Sequence, residues 1–75
     1  MVVIKNIKRV EDLKDAWLKE IEVLCTNGKI IRGKFCDFER SGDSSDGKAN
    51  IGLNRSGHSF DIYLYLDEIV QVTIL

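Results

Sequence analysis

The chain of 75 residues has no proline, a single histidine, two cysteines and only a slight excess of acidic over basic residues. It also lacks any apolar run near the roughly 18 residues that a membrane-spanning helix needs. Each absence narrows the reading. His58 stands alone in an expected turn, and no acidic residue is spaced to complete a triad with it and Ser56 or Ser59. No enzyme is expected. Cys25, Cys36 and His58 contain no close ligand pair, whereas structural zinc is held by four ligands in short-spaced pairs. The loop at Asp43–Gly47 lacks the alternating oxygens and closing glutamate of a calcium loop. No glycine-rich phosphate loop is present. No metal and no cofactor are therefore expected. The apolar start is broken at once by Lys5, Lys8 and Arg9, so no signal peptide and no membrane association are expected, and a cytoplasmic location is.

A disulfide is not expected either. If Asn27-Gly28 is a two-residue hairpin turn, Cys25 lies opposite Ile30. Cys36 is then six residues further along the strand, roughly 20 Å away. A disulfide needs Cα atoms within about 7 Å. Both cysteines read as reduced, buried, small apolar residues.

What is present suits one small globular domain. Apolar residues make up 44% and charged residues 31% of the chain, an ordinary balance. A chain this short buries only about 60% of its unfolded surface, which favours association with partner chains. The formal net charge of −1 excludes a strong polyanion footprint over the whole surface. Charge is nevertheless uneven: eight basic and five acidic residues up to Lys34, three and seven after it. That asymmetry allows a basic patch on one side.

Periodicity supplies the elements. Residues 1–8 read as an extended or frayed leader. Val10, Leu13, Ala16, Trp17 and Ile21 recur at helical spacing, with Glu11, Asp12, Lys14, Asp15 and Lys19 between them. This predicts an α-helix over about 10–18, with Trp17 packed over one end of the fold. From Glu20 the period changes to two, predicting strands at about 20–26, 29–39, 49–54, 59–66 and 69–75. Asn27-Gly28 marks a tight hairpin. Gly33, in the middle of a long strand, marks a bend. Residues 40–48 read as a polar loop. In the fourth strand Phe60, Ile62, Leu64 and Leu66 share one face and Tyr63 and Tyr65 the other. In the fifth, Val70, Val72 and Ile74 share a face. The expected fold is mainly β: a small, bent, five-stranded antiparallel barrel with a short N-terminal helix.

The order of these elements resembles the Sm-like family of small SH3-like barrels that assemble as rings and bind RNA. The resemblance rests on a short helix (Leu13 to Trp17), a hydrophobic run (Ile21, Val23), a turn glycine (Gly28) and a second glycine five positions on (Gly33). The segment EVLCTNGKIIRGKFCDFE resembles the family's first motif, and Glu39 and Asn50 are the nearest matches to its later acidic residue and asparagine. The Arg-Gly step of the second motif is absent, with Tyr65 and Leu66 in its place. In the family that arginine and the asparagine hold bases. The resemblance implies RNA contact through Glu39, Asn50 and Tyr65, with Arg32 and Lys34 supplying charge.

The last two strands carry neither proline nor lysine, so their edges invite pairing. A homo-oligomer is expected, built by strand addition between the fourth and fifth strands through Ile62, Tyr63, Leu64, Val70, Val72 and Ile74. The expected function is a non-enzymatic binding module with single-stranded RNA as ligand. The alternative is a protein-interaction or assembly module, which the near-neutral charge and the missing arginine favour.

Overall fold

A computed structural model describes residues 2–42, 47–55 and 61–75. The chain forms β1 (Val2–Lys5), a 3₁₀ helix (Val10–Ala16), β2 (Glu20–Cys25), β3 (Ile30–Glu39), β4 (Asn50–Asn54), β5 (Asp61–Tyr65), a 3₁₀ turn (Leu66–Glu68) and β6 (Ile69–Ile74). The strands make one antiparallel sheet of six, in the order β1-β6-β2-β3-β4-β5. The mainly β expectation holds. The closed five-stranded barrel does not, because β1 and β5 lie at opposite ends of an open sheet. The expected leader supplies the sixth strand: Val2, Val3, Ile4 and Lys5 pair with Ile74, Thr73, Val72 and Gln71.

The helix is 3₁₀ and ends at Ala16, not α to residue 18. The reason is in the spacing. Val10, Leu13 and Ala16 fall at every third position, the 3₁₀ period, and all three are buried. The Asp12 carboxylate accepts the backbone N–H groups of Lys8 at 3.0 Å and Arg9 at 3.1 Å, which satisfies donors at the helix start. These bonds hold the Asp12 carboxyl below the usual carboxylate range. After Trp17 the chain turns sharply through Leu18 at φ +63°, a strained value for a bulky residue. Backbone bonds fix that corner: Leu18 N–H to the Phe35 carbonyl at 2.8 Å and Phe35 N–H to the Lys19 carbonyl at 3.0 Å.

The first hairpin is where Asn27-Gly28 places it, but its loop has three residues. Cys25 N–H bonds the Lys29 carbonyl and Gly28 N–H bonds the Cys25 carbonyl, both at 2.9 Å. Gly28 alone takes positive φ, at +86°. This is the turn with a glycine bulge, not the two-residue turn in which both central residues need positive φ. Cys25 therefore faces Lys29 rather than Ile30. Both cysteines are free.

Two irregularities decide which side chains face inward. β3 pairs with β2 through Ile30–Lys34 and with β4 through Lys34–Glu39, and its register with β4 skips Cys36. One extra residue reverses the alternation. Phe35 and Phe38, three apart, thereby oppose the core residues Leu53 and Ile51. Asp37 and Glu39 are turned to the outer face. In β6 the register with β2 passes from Gln71 to Ile69 and skips Val70. Val72 and Ile74 are buried while Val70 is exposed, so the single face expected for the three does not form. Leu13, Ile21, Val23, Phe35, Ile51, Leu53 and Val72 are the most deeply buried side chains.

Candidate functional site

The 3₁₀ helix lies against β3 and leaves a cleft along its start. One compartment, of about 330 Å³, is bounded by Lys8 and Arg9 before the helix, Arg40 and Ser41 after β3, and Lys48, Ala49 and Asp67 near β4 and the 3₁₀ turn. Four cations thus stand against two carboxylates, Glu11 and Asp67. Glu11 accepts from Arg40 Nε at 3.4 Å, and Lys48 Nζ lies 4.0 Å from Asp67. These are exposed pairs, which hold their partners weakly.

The adjoining compartment, of about 220 Å³, is apolar, with Trp17, Phe35 and Phe38 on its wall and Lys14 at its rim. Trp17 meets Phe35 edge-on at 5.2 Å and Phe38 at 5.4 Å between ring centroids. Phe35 is fully covered and Trp17 remains 39% exposed, so the indole both packs and presents a surface. Val10, Glu11 and Arg40 line both compartments. The Arg40 guanidinium sits over the Phe38 ring at 5.4 Å, at the boundary between them. On the far side, Lys48 lies 5.4 Å over the Tyr65 ring.

The residues expected to contact RNA divide into two groups. Glu39, Asn50 and Tyr65 come together: Glu39 pairs with Asn50 and Asn50 with Tyr65 across three adjacent strands. Asn50 is buried at 8% exposure, and its Oδ1 has no hydrogen-bond partner among the described residues. An orphaned acceptor of this kind costs about 1–3 kcal/mol. Arg32 and Lys34 do not join this group. They lie on the half of β3 paired with β2, where Arg32 bonds Glu22 at 2.7 Å and Lys34 is opposite Glu20 and Asn54. Lys8, Arg9, Arg40, Lys48 and Phe38 carry no motif. The basic bias of the first 34 residues covers Lys8 and Arg9 without locating them, and Arg40 and Lys48 lie in the more acidic remainder of the chain.

The expected interface residues are also divided. β5 is an edge strand, with Tyr63 exposed, Ile62 half-buried and Leu64 buried. β6 is internal, flanked by β1 and β2, so Val72 and Ile74 are core residues and no free β6 edge exists. Tyr63 lies across Gly52, where an added Cβ would come within 2.8 Å of the ring. Its hydroxyl bonds Asp37 Oδ2 at 3.3 Å. Burial against the sheet and the Asp37 carboxylate push the Tyr63 phenol above its usual range. His58, Phe60 and the Asp43–Asp46 part of the polar loop lie outside the described residues. No group of three or more metal-ligating side chains occurs among the described residues, and no described helix is long and apolar enough to cross a membrane. No family model, curated protein or solved structure matches the chain.

Proposed function

We propose that the protein is a non-enzymatic module that binds single-stranded RNA, of the Sm-like kind its first motif resembles. The supporting observation is the juxtaposition of a cationic compartment with an aromatic one, joined at Arg40. Phosphates suit the cluster of Lys8, Arg9, Arg40 and Lys48, and bases suit the exposed part of Trp17. Backbone neutralisation and base stacking together are what sequence-tolerant single-strand binding uses. The group of Glu39, Asn50 and Tyr65 borders this region through Tyr65, beneath Lys48.

Trp17 is the sole tryptophan and serves as the reporter. Titration with short oligouridine and oligoadenine is expected to quench its fluorescence. Affinity should fall as salt rises from about 50 to 200 mM, with a log–log slope of about −0.7 per phosphate engaged. Arg9→Ala and Lys8→Ala should each flatten that slope, while Lys29→Ala, at the hairpin, should not. Absence of both quenching and anisotropy change at the lower salt would sink the reading. A protein-assembly role is the second reading, favoured by the two open sheet edges.

A further inference from the structure

We propose that copies of this chain join head to tail, with the β5 edge of one pairing with the β1 edge of the next in the register Asp61–Lys5, Ile62–Ile4, Tyr63–Val3 and Leu64–Val2. β1 pairs only with β6 and β5 only with β4 among the described residues, so each presents a row of open backbone groups. The sheet has six strands, each antiparallel to its neighbour, so its two edges run in opposite directions. Repeating the molecule edge to edge therefore continues the antiparallel order.

The side chains also match. Val2 and Ile4 oppose Ile74 and Val72 on the core face, and Ile62 and Leu64 oppose Leu53 and Ile51 on that same face. The proposed register keeps these four on one face. On the other face it sets exposed Val3 against exposed Tyr63, and Lys5 against Asp61. Opposite charges directly across a sheet are favourable, as are aromatic and β-branched pairs. A slip by one residue would set core-facing positions against outward ones. Pairing β5 with its own copy about Tyr63 would put Asp61 opposite Tyr65, with no cation, and leave both β1 edges open. Asp61 already accepts from Asn54 Nδ2 at 2.9 Å, which holds the carboxylate in place at the strand start.

The joint is heterologous, so it builds species larger than a dimer, either closed or open-ended. The test is mass by light scattering on the full chain from low to high micromolar concentration. Multiples of 8.5 kDa are expected for the unaltered protein. Lys5→Glu and Asp61→Lys each place like charges across the joint and should each shift association to at least threefold higher concentration. Circular dichroism should show both variants folded like the unaltered protein. Mixing the two variants pairs opposite charges at every joint again and should restore assembly. A monomer at all concentrations, assembly indifferent to both substitutions, or failure of the mixture to recover would each overturn the proposal.

Discussion

The two halves of β3 are one continuous strand and behave as different surfaces. Over Ile30–Lys34 the partner is β2, where Arg32 pairs with Glu22 at 2.7 Å and Lys34 stands opposite Glu20 in the register. Over Phe35–Glu39 the partner is β4, and the outer face holds Asp37 and Glu39 beside Gly52, Asn50, Tyr63 and Tyr65. The skipped residue Cys36 separates them. Its thiol points to the Gly52 carbonyl at 3.9 Å, a weak contact. A single inserted residue thus moves Phe38 inward and puts the end of the strand, and Arg40 after it, beside the helix. The first half presents charged side chains to solvent, whereas the second carries the aromatic rings that fill the core beside the helix and shape a cleft.

The largest test of this contrast is at its junction. Phe35→Ala should cost about 3–5 kcal/mol in denaturant unfolding, because Phe35 is buried under Trp17 and the helix. Phe38→Ala, half-buried in the second half, should cost about half as much. Equal losses would mean the two rings do the same work.

The two glycines rank next. A Cβ on Gly33 would lie 3.0 Å from the Asn54 carbonyl oxygen and 3.1 Å from Leu53 Cβ, so paired backbone would have to shift by a few tenths of an ångström. Gly33→Ala should cost about 1–3 kcal/mol. At Gly52 the nearest group is the exposed Tyr63 ring, which can swing away at the loss of its Asp37 bond. Gly52→Ala should cost about 1 kcal/mol, and less when combined with Tyr63→Ala.

Thiol labelling compares the end of β2 with the register break of β3. Burial, then the nearby Glu68, raises the Cys25 thiol above its usual range, and Lys29 offsets only part of this. Cys25 should react with a disulfide reagent more slowly than half-buried Cys36 in the native state, and the two should converge in denaturant.

The smallest effect is in alkali. A phenol that ionises later when folded favours the native state less once the unfolded chain has lost its proton. Stability should therefore fall as pH rises past the ordinary tyrosine value of 10.0. Asp37→Asn should lower the Tyr63 midpoint, read from phenolate absorbance. An unchanged midpoint would show that Asp37 does not act on it.

Much of the strand framework was legible from local signals. Alternation located five of the six strands to within one or two residues where they are described, and Asn27-Gly28 located the hairpin. Gly33 was legible as a special position, although it marks a close backbone approach while the register break falls at Cys36. β1 was missed because four residues ending in a lysine carry too little period to separate from a leader. The 3₁₀ helix was read as α because Trp17 and Ile21 extend its pattern, although Trp17 is its cap and Ile21 belongs to β2. Glu39, Asn50 and Tyr65, which the family resemblance picks out, are neighbours across three strands. The cationic cleft was not legible, because Lys8, Arg9, Arg40 and Lys48 lie far apart in the chain.

Local pattern by itself determined that this protein is mainly β, antiparallel, and turned at Gly28. Those features depend on backbone preferences and a period of two, which act over a few residues. Only the tertiary structure decided that the sheet stays open with six strands, that β6 is internal, and that the cations meet an aromatic wall at the helix. Each of these depends on which distant strands share hydrogen bonds, and on the two skipped residues, Cys36 and Val70, that reverse a face without any mark of their own in the sequence.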